Sequence, residues 1–339
     1  MQDLDTLSTV AAPRRRRFVF SGGALVAATA LPGPLRAQAW PSKPIRIVSA
    51  QAPGSSVDTM ARAYGEDFSA QLKTPGIVEN KPGGVGMIAA ETVARSPADG
   101  HTFLFTLHSQ LAQAPVLLKK VPIDPSKDLV PVAAVSPGTG AFVIKKDLAA
   151  RTYQEFIDYA RRTPVSIGNY GAGSGWQLIL LELIKQTNAK IEIITYRGTG
   201  PMMVDLSAGQ IDGGSGSLVG LSPGLKSGAV RPIVVTTGQP SKKLPGVPTW
   251  RELGITGPAF ENLVEMNMFL GPAGTPREAI DRIAELTHEA VAKSEKVAAV
   301  RDLAGAEDTP VTGDALRKMI DATWPTYRTL TQQLGLTVG

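Results

Sequence analysis

From residue 40 onward, short apolar runs alternate with segments whose apolar residues recur every three or four positions. "IRIVSA" at 45–50 reads as a buried strand. Val57, Met60, Ala61, Tyr64, Phe68 and Leu72 then form one apolar stripe at helical spacing. The pattern continues with a strand at "GIVEN", a turn at "KPGGVG", and a helix at "MIAAETVARS" that Pro97 ends. Strands follow at "HTFLFTL", "VPVAAVS" and "AFVIKK". Helices at "TYQEFIDYARRT", "WQLILLELIKQT" and "PMMVDLSAG" are separated by strands at "SIGNY" and "IEIITY". "VRPIVVTT" is a further strand, and "TWRELG", "MNMFLGP" and three helical stretches complete the chain. Such alternation predicts an α/β protein whose mostly parallel sheets are covered by helices.

Three strand-to-helix junctions share one construction: "RIVSA" meets "PGSSVD", "SIGNY" meets "GAGSGWQ", and "IEIITY" meets "RGTGP". Glycine and hydroxyl residues directly before a helix cap it and leave backbone N–H groups pointing outward. The helix start adds about half a positive charge. In open parallel sheets such loops lie at the carboxyl ends of strands, where ligands bind. Three converging turns would make an anion site without lysine or arginine; plain helix capping is the alternative that the sequence leaves open.

Glycine and proline, 35 and 26 of 339 residues, make about 18 % of the chain against about 12 % on average. They are scattered between periodic segments, so the connections are short and turn-rich rather than one long linker. No cysteine is present, which excludes disulfides, thiolate metal sites and cysteine nucleophiles. Residues 1–39 carry a basic run at Arg14–Arg17, an apolar stretch from Phe18 to Leu31 and a terminal Ala37-Gln38-Ala39. This reads as a secretory signal peptide cleaved before Trp40, by the general or the twin-arginine route. Its five arginines and two aspartates, taken from 35 basic and 30 acidic residues, leave 30 and 28 on the 300-residue remainder. A balance so near neutral is no nucleic-acid footprint. Two domains are expected for that length.

Enzyme motifs fail. No G-x-x-x-x-G-K-[ST] loop occurs, and Trp176 takes the third glycine position of a dinucleotide fingerprint. His101, His108 and His288 have no metal-ligand spacing, so neither metal nor cofactor is expected. "GLSPG" at 220–224 fits the G-x-S-x-G elbow, but the residue after the serine, Pro223, has no N–H for an oxyanion. Glu261 and Glu265 are four apart, and surface solvation accounts for them better than acid–base pairing.

The chain resembles the periplasmic receptors of tripartite tricarboxylate transporters, the Bug-type binding proteins, from about Trp40 to the C-terminus. The markers stand in order: "WPSKPIRIV", "APGSSVDTMAR", "VENKPGGVGMIAAETVARSPADGHTFLF", "VPIDPSKDLVPVAAV", "YRGTGPMMVDLSAGQID", "LPGVPTWRELG" and "GPAGTP". The resemblance implies a type II periplasmic-binding-protein fold. Residues 40–140 with 262–339 would form one lobe and 141–261 the other, closing on a small carboxylate and docking on membrane permease subunits. A monomer without catalytic residues is implied. The family's ligand loops map onto Gly54, Ser55, Ser56 and Asp58; His108 and Ser109; Ser174, Gly175, Trp176 and Gln177; Tyr196, Gly198 and Thr199; and Ser215 and Ser217. Asp58 is expected to cap its own helix, and Arg197 to add charge or face solvent.

Departures from the family pattern cluster at these positions. Ser55 replaces a glycine, Ser174 to Leu178 replace Gly-Thr-Ser-Ser-His, "TLHSQ" replaces a Thr-Asn-Gly pattern, and Gly216 stands where an aspartate is common. Trp176 as added contact area and Gly216 as a deleted charge would suit a flat aromatic or apolar carboxylate better than a polyhydroxy acid, with a dicarboxylate as a further candidate ligand; Trp176 as core is the other reading. A ligand sensor for a membrane signalling partner, or a secreted hydrolase or isomerase, are the alternative functions.

Overall fold

The computed structural model describes residues 40–337; the expected signal segment, 1–39, lies outside them. Along the chain the strands are β1 (Ile45–Ser49), β2 (Gly76–Asn80), β3 (Thr102–Leu107), β4 (Leu129–Val135), β5 (Gly140–Lys145), β6 (Val165–Asn169), β7 (Ile191–Thr195), β8 (Gly213–Ser217), β9 (Val230–Val235), β10 (Asn267–Pro272) and β11 (Val311–Thr312). They form two sheets, ordered β11-β4-β10-β3-β1-β2 and β7-β6-β8-β5-β9. The chain passes between sheets after β4 and again after β9. Each crossing ends in a strand laid against the common direction: β5 is antiparallel to β8 and β9, and β10 to β3 and β4. The ladders of β1 with β2 and β3, and of β6 with β7 and β8, are parallel.

The helices are α1 (Ser56–Leu72), α2 (Met87–Ala94), α3 (His108–Leu117), α4 (Pro125–Asp128), α5 (Tyr153–Arg162), α6 (Gly175–Thr187), α7 (Thr199–Ser207), α8 (Leu218–Ser227), α9 (Pro258–Glu261), α10 (Arg277–Lys293), α11 (Glu295–Ala304) and α12 (Gly313–Gln333). Both sheets are covered on two faces, and the period of two along each strand divides its residues between them. Ile45 and Ile47 join Phe68, Phe103, Phe105 and Phe269 under α1 and α10, while Val48 and Leu104 join the core with α2, α3 and α12. In β5, Phe142 and Ile144 face Phe156 and Trp176, and Ala141 and Val143 face Met202 and Leu221.

Three elements differ from the hydrophobic pattern. "HSQLAQAPVL" is a helix, α3, although histidine, serine and two glutamines break its stripe; all of these polar residues are buried. "GGSGS" is a fully buried strand, β8, at the centre of its sheet. It lacks β-branched residues because α7 lies directly on it: a Cβ at Gly214 would stand 2.9 Å from Met202 Sδ, and one at Gly216 2.6 Å from Thr199 Cγ2. "LVGLSPGLKS" is α8, with Pro223 inside it.

Asp212 ties β5 and β6 beside the start of β8. Its carboxylate accepts from Ser166 N at 2.8 Å and pairs with Lys145 Nζ at 2.6 Å. Burial pushes this carboxyl up, but the Lys145 and Ser166 hydrogen bonds outweigh it and hold the group below its ordinary value. Its stabilisation is therefore full above the unfolded value of about 3.9 and is lost as pH falls through the lower folded value. Asp212→Asn is expected to lower unfolding free energy by about 1–2 kcal/mol at neutral pH. It should also flatten the acid limb of a stability–pH curve measured by denaturant titration; an unchanged acid limb would contradict the assignment.

Candidate functional site

The carboxyl ends of β1, β3, β4, β6, β8 and β9 and the starts of β5 and β10 meet around one cavity of about 260 Å³. First-sheet elements contribute Gln51, Ser56, Leu107, Met266 and, from α12, Tyr327; second-sheet elements contribute Tyr170, Gly175, Trp176, Ile179, Thr199, Ser215, Gly216 and Ser217. The crossings themselves supply 136–138, 236–238 and 263–265. Strand ends of both sheets thus face one space, as the rule for open α/β sheets requires.

The first and third donor-rich junctions meet each other across the sheets. Ala52 N–H donates to Arg197 O at 2.8 Å, and Ser56 N–H donates to Thr199 Oγ1 at 3.1 Å. Glycines permit the approach: a Cβ on Gly200 would lie 2.9 Å from Pro53 O, and one on Gly198 2.9 Å from Ser55 Cβ. Two further donors of the first junction are engaged nearby, whereas α7 has no side-chain cap. Gly54 N–H donates to Asp58 Oδ2 at 2.9 Å, and Asp58 N–H to Ser55 Oγ at 3.3 Å. Asp58 therefore caps its own turn and pairs with Arg62 at 2.9 Å. Tyr196 turns away, its hydroxyl donating to Asp205 at 2.8 Å. Burial first and the Asp205 carboxylate second push this phenol up to about 12. Arg197 has an exposed side chain.

The second junction is closed from inside. Ser174 Oγ caps Gln177 N–H at 3.3 Å and donates to Asn169 Oδ1 at 2.6 Å, while Gln177 Oε1 accepts from Gly173 N–H at 3.0 Å. The first N–H of α6, that of Gly175, is taken by Glu265 Oε2 at 3.2 Å, which also accepts from Ser109 Oγ at 2.8 Å. Glu265 is thus not a solvated surface residue: its side chain is 17 % exposed and lines the cavity. The second crossing runs extended here, which turns Glu265 inward instead of placing it on a helix face with Glu261. Below it, His108 is fully buried, with Nδ1 3.2 Å from Glu265 Oε1 and accepting from Met266 N–H at 3.0 Å. Tyr327 packs edge-on against His108 at 5.2 Å. Burial, then the charge of Glu265, holds the Tyr327 hydroxyl well above its ordinary value.

Of the residues singled out in the sequence, Ser56, Gly175, Trp176, Thr199, Ser215 and Ser217 line the cavity. Gly54, Ser55, Asp58, His108, Ser109, Ser174, Gln177, Tyr196 and Gly198 do not line it. Glu265, Gln51, Tyr170 and the two crossings were not found from sequence; only the position of Glu265 just before the strand "NMFLGP" gave a signal. Gly216 does not leave the cavity uncharged. It makes room for Thr199, and the charged groups on the wall are Glu265 and, at the exposed rim, Asp308. Among the described residues no group of three or more His, Asp or Glu is placed to hold a metal ion.

The model of the tripartite tricarboxylate transporter family receptor matches residues 60–336. The chain belongs to this receptor family. It is 36 % identical over 248 residues to a UPF0065 protein of Bordetella bronchiseptica, covering 73 % of this chain and 72 % of that one. It is 29 % identical over 294 residues to protein BugT of Bordetella pertussis, covering 85 % and 88 %. The solved structure of periplasmic binding protein BugD shares the fold with a TM-score of 0.80 at 25 % identity, covering 88 % of this chain and 100 % of that one.

The receptor family is one of solute binders and not of enzymes, and the elbow-like "GLSPG" has a structural explanation. Pro223 cannot donate to Val219 O within α8, and Ser222 Oγ donates to that carbonyl instead, at 3.1 Å. The serine repairs its own helix. Trp176 is core and cavity wall at once: it is 2 % exposed, its ring lies 5.1 Å from that of Phe142, and its indole N–H donates to Gly168 O at 3.0 Å. Trp176→Ala is expected to lower the receptor's unfolding free energy by about 3–5 kcal/mol, read from the denaturant midpoint, with Trp176→Phe losing less. A loss below about 1 kcal/mol would mean that the indole is not a core group.

Proposed function

We propose that this receptor works in the periplasm, where it captures one small carboxylate between two lobes and delivers it to the permease subunits of a tripartite transporter. The lobes are 40–140 with 262–339, and 141–261, built on the first and second sheet respectively. The observation that carries the reading is the cavity of about 260 Å³ at the carboxyl ends of both sheets. A ligand there touches both lobes, so its binding energy holds them together, and hinge motion at the two crossings releases it. Leu107, Trp176, Ile179 and Met266 give the cavity apolar walls, which favour an aromatic or aliphatic body over a polyhydroxy acid. The 1–39 segment serves as the export signal, and the receptor acts as a monomer.

A thermal-shift screen of aliphatic and aromatic mono- and dicarboxylates tests this. A ligand at 100 times its dissociation constant is expected to add about 2.7 kcal/mol of stability and to be recovered unchanged. A panel in which no carboxylate raises the melting temperature, or one in which the bound acid is converted, overturns the reading.

A further inference from the structure

Polar groups left without partners divide the cavity wall into a donor part and an acceptor part. On the donor side, Ser217 ends β8 and precedes α8. It is 8 % exposed, its Oγ has no partner among the described residues, and α8 has no side-chain cap. Next to it in the sheet is Gly140, followed by Thr236, whose N–H donates to Gly140 O at 2.9 Å. Ser215, Thr236 and Thr237 add hydroxyls to the same wall. A buried hydroxyl without a partner is destabilising until something satisfies it, and beside a helix start that something is best an anion.

The acceptor side is the reverse. Gln51 is 2 % exposed, and its Oε1 has no partner among the described residues while its Nε2 lies 3.5 Å from Tyr170 O. Glu265 holds its carboxylate on the N-terminus of α6, where a ligand carboxylate would otherwise rest. The start of α1 is likewise engaged by Asp58, Ser55 and Thr199. Among the described residues no lysine or arginine lines the cavity to balance Glu265; His108 stands behind it, with Nδ1 3.2 Å from Glu265 Oε1 and accepting from Met266 N–H.

We infer that the ligand carries a single carboxylate, held by Ser217 and the start of α8, and presents an N–H donor, such as an ammonium or amide, to Glu265 and Gln51. This rests on the small-carboxylate reading and narrows it to amino- or amido-carboxylic acids. A second carboxylate meets the Glu265 carboxylate and the Gln51 amide oxygen on a wall without lysine or arginine, so dicarboxylates are rejected. Glu265 is then the residue that sets specificity, and Ser217 the one that sets affinity for the shared acid group.

Calorimetric titration of the purified receptor with matched pairs tests this: adipate against 6-aminohexanoate, and terephthalate against 4-(aminomethyl)benzoate and 4-carbamoylbenzoate. Wild type is expected to prefer the amino or amido member of a pair at least about tenfold, the discrimination of an unpaired buried polar group. Glu265→Gln should reduce that preference to below about threefold by admitting dicarboxylates. Ser217→Ala should weaken both members of each pair by about tenfold with their ratio unchanged. Dicarboxylates bound as tightly as their partners by wild type, a preference that survives Glu265→Gln, or no loss in Ser217→Ala would each overturn the inference while leaving the carboxylate receptor in place. Failure of all five acids to bind would overturn the inference, and with it the carboxylate reading if the wider screen is also blank.

Discussion

The contact on which the cleft depends is Ser56 N–H to Thr199 Oγ1, 3.1 Å across the two sheets. It joins the first turn of α1 to the first residue of α7. Thr199 reaches this position because four glycines yield to it or to its loop. A Cβ on Gly216 or Gly220 would come within 2.6 or 2.3 Å of its side chain, and Gly198 and Gly200 lie against Ser55 and Pro53. Larger residues at any of these positions would hold the loops apart and open the cavity to water on that side.

The same contact is one reason why the turns before α1 and α6 are not an open anion clamp. Helix N-termini need partners wherever they are buried. In this chain α1 and α6 take theirs from Asp58, Ser55, Thr199, Ser174 and Glu265. Glutamine amides complete the seam: Gln110 donates to Ala172 O at 3.1 Å and Gln113 to Gly173 O at 2.6 Å. Thr331 of α12 donates to Gln113 at 3.0 Å, so the last helix braces the seam from behind. The buried polar face of α3, which spoils its hydrophobic pattern, is what holds the second junction in place.

The two crossings do more than connect. Each ends in an antiparallel strand placed inside a sheet, so the crossing residues 136–139 and 236–266 run past the open ends of the neighbouring strands. That brings Glu265, Met266, Thr236 and Thr237 to the cavity, although none lies on a strand-to-helix turn. The link between the two sheets and part of the binding wall are thereby made from one piece of chain.

Local structure and fold class were legible from residues close together in the chain. Periodic stripes such as Val57 to Leu72, the alternation in "IRIVSA" and "AFVIKK", and capping residues such as Ser55 and Ser174 depend on neighbours within a few positions, and these elements are present. The ordered family markers likewise indicated the receptor, and Pro223 excluded the nucleophile elbow by its missing N–H. The polarity of the site, in contrast, follows only from contacts between distant segments. "GGSGS" is a strand only because α7 covers it, and α3 is a helix only because its glutamines find carbonyls 60 and more residues away. Glu265 is a cavity residue only because the second crossing brings it to Ser109, 156 positions earlier, and to Gly175, 90 positions earlier. Burial of a charge or an amide depends on partners distant in sequence, and no local spacing encodes them.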